Sequence, residues 1–216
     1  MLLAGPEREQ SHGEEIANSI SHGIGLISAL AGTPLLILRA VRHGDTGCIV
    51  GTSLFSATII LLYLGSCLYH ALPIGKAKRV FRVIEHSAIF FLIAGTYMPF
   101  TFGALRGAWG WTLFGIIWGL ALVGVTLKSF NKIPHPILST GLYLVMGWLI
   151  VIAIDPLVAG VPKTGLFLLI AGGVSYTAGV AFFATDSRLR YGHFIWHLFV
   201  MGGTACHYFA VFRYAA

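Results

Sequence analysis

Seven apolar stretches, each of roughly 20 residues, punctuate this chain at near-regular intervals, and that length is what a helix needs to cross a hydrocarbon core of ~30 Å. They run near 19–38, 48–71, 83–102, 109–128, 137–155, 165–184 and 193–213. None shows the two-residue alternation of a barrel strand. The expected fold class is therefore an all-α integral membrane protein: a seven-transmembrane helix bundle forming one domain over 1–216, behind a short polar tail, 1–18. Composition agrees, since 56% of the 216 residues are hydrophobic and 10% charged, against about 25% charged in soluble domains. Pro34 and Pro99 fall inside spans, and Asp155-Pro156 marks the expected outer end of the fifth.

The net charge of +6 does not point to nucleic acid, because the basic residues occupy short turns between apolar runs, where they anchor cytoplasmic ends. Arg8, Lys76, Lys78, Arg79, Arg82, Lys128, Lys132, Arg188 and Arg190 lie on one side; Arg39, Arg42, Arg106, Lys163 and Arg213 lie on the other. Nine against five places the N-terminus inside and the C-terminus outside. The N-terminus carries Glu7, Glu9, Glu14 and Glu15 ahead of any apolar run, unlike the basic start of a secretory signal. Cys48, Cys67 and Cys206 are an odd set within or beside apolar segments, which argues against a disulfide framework.

With that topology, polar residues from four spans meet at the cytoplasmic edge. Span 1 supplies Glu15, Asn18, Ser21 and His22, which fall within a stripe of about 120° on a helix. Span 2 ends with Ser66 and His70; span 3 begins with Glu85, His86 and Ser87; span 7 begins with His193 and His197. His193 and His197 share a face, as do Ser66 and His70. Ionisable groups inside spans face the bundle interior and mark function.

Three imidazoles on two helices make a tetrahedral zinc site with one position open, where a water's pKa falls toward ~7 and a nucleophile for an amide or ester becomes available. Glu85, then Glu15, are the carboxylates placed to orient an imidazole or move a proton, and Ser66 is placed to hydrogen-bond a metal water or a substrate oxyanion. Ser66 and Glu85 are thus the candidate catalytic pair, and His70, His193 and His197 the candidate ligands. Glu15, Asn18, Ser21, His22 and His86 stand behind them, with His22 and His86 as alternative ligands. Each has a plainer reading: an interfacial histidine pair, a helix-end His70 near Pro73, a polar helix start at Glu15 and Asn18. Cys67 reads as a small packed thiol and His207, almost four turns deeper than His193, as a packed, hydrogen-bonded histidine.

The segments EIANSISHGIGL, SCLYHALPIGKAKRVFRVIEHSAIFFLIAGTYMPF and GHFIWHLFVMGGTACHYFAV resemble the bacterial haemolysin III family, which belongs with the progestin and adiponectin receptors and the alkaline ceramidases. The E-x-x-N-x-x-S-H motif appears as Glu15, Asn18, Ser21 and His22, the S-x-x-x-H motif as Ser66 and His70, and the H-x-x-x-H motif as His193 and His197. The resemblance implies a seven-helix bundle with its N-terminus inside, zinc on His70, His193 and His197, and a hydrolase-like site opening to a lipid-accessible cavity in a bacterial cell membrane. Where the family pattern has aspartate this chain has Glu85, whose extra methylene moves the carboxylate by about 1.5 Å and turns a water-bridged contact into a direct one.

Four functions compete: a zinc-dependent hydrolase of a lipid amide or ester; a receptor, sensor or membrane-homeostasis protein in which zinc is structural and a lipid-like ligand shifts the bundle; a pore-forming cytolysin, disfavoured because no span carries a continuous polar stripe; and a bis-histidine haem protein. The expected partner is a membrane lipid or lipid-like ligand.

Overall fold

The computed structural model describes residues 8–130 and 136–215. Among them every regular element is helical: α1 (His12–His43), α2 (Thr46–Ala71), α3 (Lys76–Thr101), α4 (Ala108–Ser129), α5 (Pro136–Trp148), a 3₁₀ turn (Leu149–Ala153), α6 (Ile154–Gly160), α7 (Lys163–Thr185) and α8 (Gly192–Tyr214). Seven spans long and apolar enough to cross a membrane result, the fifth being built from α5, the 3₁₀ turn and α6. Glu7 and Lys132 lie outside the described residues.

Helix α1 begins at His12, well ahead of the apolar stretch, so most of the expected tail 1–18 that the structure describes is helical. A capping box explains the early start. Ser11 Oγ accepts from the Glu14 N–H, and the Glu14 carboxylate accepts from the Ser11 N–H at 2.9 Å. At 32 residues, α1 is about 48 Å long and overshoots the hydrocarbon core, which carries its polar stripe to the membrane edge. The helices run through Pro34 and Pro99 without interruption. At the other end of α1, Asp45 caps α2 by accepting from the Cys48 N–H at 3.1 Å and pairs with Arg106. Those two contacts, the N–H first, hold its carboxyl below the ordinary carboxylate range.

Helices α1, α2 and α3 pack in sequence order, α4 lies against α3, and α8 closes on both α7 and α1. The tightest crossing joins α2 and α3: a Cβ on Gly51 would stand 2.6 Å from the Met98 carbonyl oxygen, and one on Gly95 would stand 2.1 Å from Thr58 Oγ1. Small residues let backbones approach where lipid offers no hydrophobic drive for association. Gly107, with φ +109°, makes the turn into α4 that a side chain would strain. Residues such as Ile20, Ile24, Ile27 and Phe167 are exposed on the outside, the reverse of a soluble protein.

The fifth span departs from the expected single helix ending at Asp155, since α6 continues to Gly160. Pro156 offers no N–H to the turn before it and crowds the carbonyl there, and the preceding residues tighten into the 3₁₀ turn. In hydrocarbon a freed backbone group needs an internal partner, and Tyr97 of α3 provides it. Its hydroxyl shares a proton between the Met146 and Gly147 carbonyls at 2.7 and 3.1 Å and accepts from the Ile150 N–H at 3.0 Å. Tyr97→Phe is therefore expected to lower unfolding stability by about 1–3 kcal/mol, read as a fall in the detergent-solubilised melting midpoint.

Candidate metal centre

The start of α1, the end of α2, the start of α3 and the start of α8 lie at one end of the bundle, and one donor atom each from His70, Glu85, His193 and His197 falls within 4.8 Å of the others. All four side chains are buried, His197 and Glu85 almost wholly. The local turns aim them. Tyr191, just ahead of α8, has φ +60°, a left-handed conformation costly for a non-glycine residue. Its N–H donates to Glu14 Oε1 at 2.8 Å, and the same carboxylate receives both Arg8 guanidinium nitrogens at 2.7 and 2.6 Å. Thus the capping carboxylate of α1 also fixes the entry to α8.

The hydrogen bonds behind the histidines settle which nitrogen each presents. His70 Nδ1 lies 2.7 Å from Glu15 Oε2, and a carboxylate accepts only, so that nitrogen donates. His193 Nδ1 donates in the same way to Asp186 Oδ2 at 2.9 Å. Ser21 Oγ gives its proton to the Asn18 carbonyl at 2.8 Å and therefore accepts from His197 Nδ1 at 3.1 Å. With Nδ1 protonated on all three neutral rings, each Nε2 keeps its lone pair, and none of the three buried Nε2 atoms has a hydrogen-bond partner. Glu85 Oε1, which accepts from Ser66 Oγ at 2.5 Å, stands 3.4 Å from His70 Nε2. Three imidazoles and a carboxylate so close together are a donor set that could hold a metal ion.

The remaining residues divide by their contacts. Glu15 is itself held by Lys78 Nζ at 2.9 Å, and Lys78 also donates to the Tyr69 and Leu72 carbonyls that end α2. Asn18 Nδ2 contacts Gln10 Oε1 at 2.6 Å and His70 Nδ1 at 3.5 Å. His22 stacks on His197 at 3.5 Å between ring centroids, with both nitrogens unpartnered, yet lies outside the four-residue group. His86 is also outside it; its carbonyl accepts from the Tyr143 hydroxyl at 2.9 Å. His207 Nε2 donates to the Leu169 carbonyl at 3.1 Å. Cys67 Sγ faces Ser19 Oγ at 3.6 Å.

Asp186 escaped the sequence reading. Its signal was a lone acidic residue in the basic connection TDSRLRYGH, seven positions before His193, but no helical spacing relates a turn residue to a helix start. Glu14 escaped as well, being one of several tail carboxylates.

A polytopic membrane protein with a buried histidine–carboxylate centre at one end of its bundle is the class this fold and site define. The family model described as "Haemolysin-III related" matches residues 10–208. "Hemolysin-3" of Bacillus cereus is 44% identical over 201 residues, 93% of this chain and 91% of that protein. "Hemolysin-3 homolog" of Bacillus subtilis (strain 168) is 44% identical over 201 residues, covering 93% and 94%. The human "Monocyte to macrophage differentiation factor" is 26% identical over 213 residues, covering 93% of this chain and 84% of that protein. The chain belongs to the haemolysin III family.

Partners behind ligating histidines typically set affinity by ~10–100-fold. Asp186→Asn is expected to weaken retention of added zinc by that order in a chelator titration, while leaving the helical circular dichroism unchanged.

Proposed function

We propose that this protein is a zinc-dependent hydrolase of the cell membrane, acting on an amide or ester of a lipid at the cytoplasmic edge of the bilayer. The observation that carries the reading is the convergence of three unpartnered imidazole Nε2 atoms whose Nδ1 atoms are each committed elsewhere. His70, His193 and His197 would hold the ion. Zinc so held would polarise a carbonyl and lower the pKa of a water toward ~7.

The chain's own residues would then do the rest. Glu15, Asp186 and Ser21 keep the imidazoles in the neutral, ligating tautomer. Glu85, with a carboxylate oxygen in the group, would take a proton from the attacking water and return it to the leaving nitrogen or oxygen. Ser66, once its proton leaves Glu85 Oε1, can donate to the developing oxyanion. The burial of Ser66 and Glu85 excludes bulk water and strengthens both interactions. The basic bias of the connections supports an inside N-terminus.

A second reading rests on Glu85 itself. A fourth protein donor closes a zinc site, and closed sites are structural, which suits a receptor or sensor. The two readings diverge in one experiment. Metal is quantified by mass spectrometry in the purified protein and in the His193→Ala, His197→Ala double variant, beside hydrolysis of lipid amides and esters. The hydrolase reading expects about one zinc per chain, its loss in the double variant with the helices intact, and turnover that falls at least ~100-fold in Glu85→Gln while zinc stays. Full zinc with no turnover of any lipid amide or ester would favour the structural site; activity persisting in His70→Ala would end the hydrolase reading.

A further inference from the structure

Helices α3 and α4 meet in a register that one contact fixes. A Cβ on Gly124 of α4 would stand 2.3 Å from the Phe90 ring of α3, so these two positions face each other. The two helices are consecutive and antiparallel, and four residues make about one turn. One turn from that contact toward the metal end of the bundle, His86 of α3 therefore stands opposite Lys128 of α4. Arg82 lies a further turn out, on the same stripe as His86 and Phe90. Arg82 is near enough to act on the charge of Lys128, and both act on the His86 ring. Tyr143 of α5 forms a third side: its ring meets Phe90 at 4.6 Å between centroids, and its hydroxyl donates to the His86 carbonyl.

Two cations thus share one junction without a counter-charge. Lys128 is half-buried, Arg82 is exposed, and neither side chain has a hydrogen bond or an ion pair among the described residues. The carboxylates at this end are committed elsewhere: Glu14 to Arg8, Glu15 to Lys78 and His70, Glu85 to Ser66, and Asp186 to His193. Glu9 is exposed ahead of α1, whose neighbours are α2 and α8. The stretch after Lys128, SFNKIPHP, adds Lys132 and no acid. A half-buried ammonium gives up hydration, and a second cation beside it repels it the more as the surroundings become less polar.

We infer that the α3–α4 junction at the metal end of the bundle binds the phosphate of an anionic phospholipid headgroup, held between Lys128 and Arg82. An arginine fork and a lysine point charge are a common pair for phosphate. The depth is right for a headgroup, because α4 ends at Ser129, one residue past Lys128. Exposed Leu122 and Val123 on the same helix leave room for acyl chains below it, which a soluble anion would not use. Exposed basic residues such as Lys76 and Arg79 attract anionic lipid without choosing a position. Lys128 chooses one, because its stem is held in the helix contact. Glu85 turns toward the metal centre from another face of α3, and the inference stands whether or not that centre is catalytic.

The test is a native mass spectrometry titration of the full-length protein, in neutral detergent, with dioleoylphosphatidylglycerol and dioleoylphosphatidylcholine. The two lipids share chains and phosphate and differ in net charge. The first phosphatidylglycerol is expected to bind about 25-fold more tightly than the first phosphatidylcholine, about fivefold for each cation. Lys128→Gln and Arg82→Gln should each remove about fivefold of that preference, and the double variant all of it. Arg188→Gln, which removes an exposed cation at the same end from the turn between α7 and α8, should leave the preference unchanged. Inorganic phosphate at the lipid's concentration should not displace the lipid. Should Lys128→Gln lose its helical circular dichroism, Arg82→Gln at its exposed position decides alone. A preference that survives removal of these cations, an equal loss in Arg188→Gln, or displacement by inorganic phosphate would each overturn the inference, the second assigning the effect to diffuse surface charge and the third to a soluble anion. None of these outcomes bears on the proposed hydrolase, whose failure would show in the zinc and turnover measurements instead.

Discussion

Three imidazole Nδ1 atoms, each donating to an acceptor on a different turn or helix, organise this end of the molecule. The Glu15–His70 bond ties α1 to α2, the Ser21–His197 bond ties α1 to α8, and the Asp186–His193 bond ties the turn after α7 to the start of α8. None of these would be strong in water. At the edge of a bilayer, with the rings buried, the alternative to each bond is a desolvated N–H, so the network holds. Its by-product is that three lone pairs are left facing inward. The same bonds that hold the helices together thus create the unsatisfied centre, and stability and chemistry share one set of contacts.

Elsewhere in the bundle many hydroxyls follow the complementary rule, that a polar group in hydrocarbon finds an internal partner. Serines and threonines along α1, α2, α3 and α7 turn their protons back onto helix carbonyls, as Ser28, Thr96 and Thr177 do. Where the fifth span breaks, one tyrosine hydroxyl serves three backbone groups. Among the described residues, ten buried side-chain polar atoms lack a partner, and half of them belong to His22, His70, His193 and His197. His70, His193 and His197 offer Nε2 in one place.

Much of this was legible in the sequence because two periodicities dominate it. The ~20-residue apolar length fixes the number of spans, and the i, i+4 spacing puts Ser66 with His70 and His193 with His197 on shared faces. Which end of the bundle they occupy followed from alternation alone. What the sequence did not reveal was set by turns and by contacts between elements without a period. Asp186 reaches His193 through a turn whose direction depends on the left-handed Tyr191. The continuation of the fifth span past Pro156 depended on a tyrosine from another helix. His22 and His86 both sit at the right depth, yet neither joins the four-residue group, and His22 stacks on His197 instead.

The resemblance implies an aspartate where this chain has Glu85, and the geometry of Glu85 bears on what the longer side chain does. A shorter side chain on the same helix position would hold its carboxylate about 1.5 Å farther back, leaving room for a water between it and the imidazoles. Here Oε1 lies 3.4 Å from His70 Nε2 and is anchored by Ser66 at 2.5 Å. A cation bound there would relieve the repulsion between an anchored carboxylate and three lone pairs. In the proposed site the same closeness would compete with a nucleophilic water for one position, and the Ser66 bond would draw the carboxylate aside. In the proposed hydrolase the Ser66–Glu85 hydrogen bond would therefore decide between a tight, closed site and a reactive, open one.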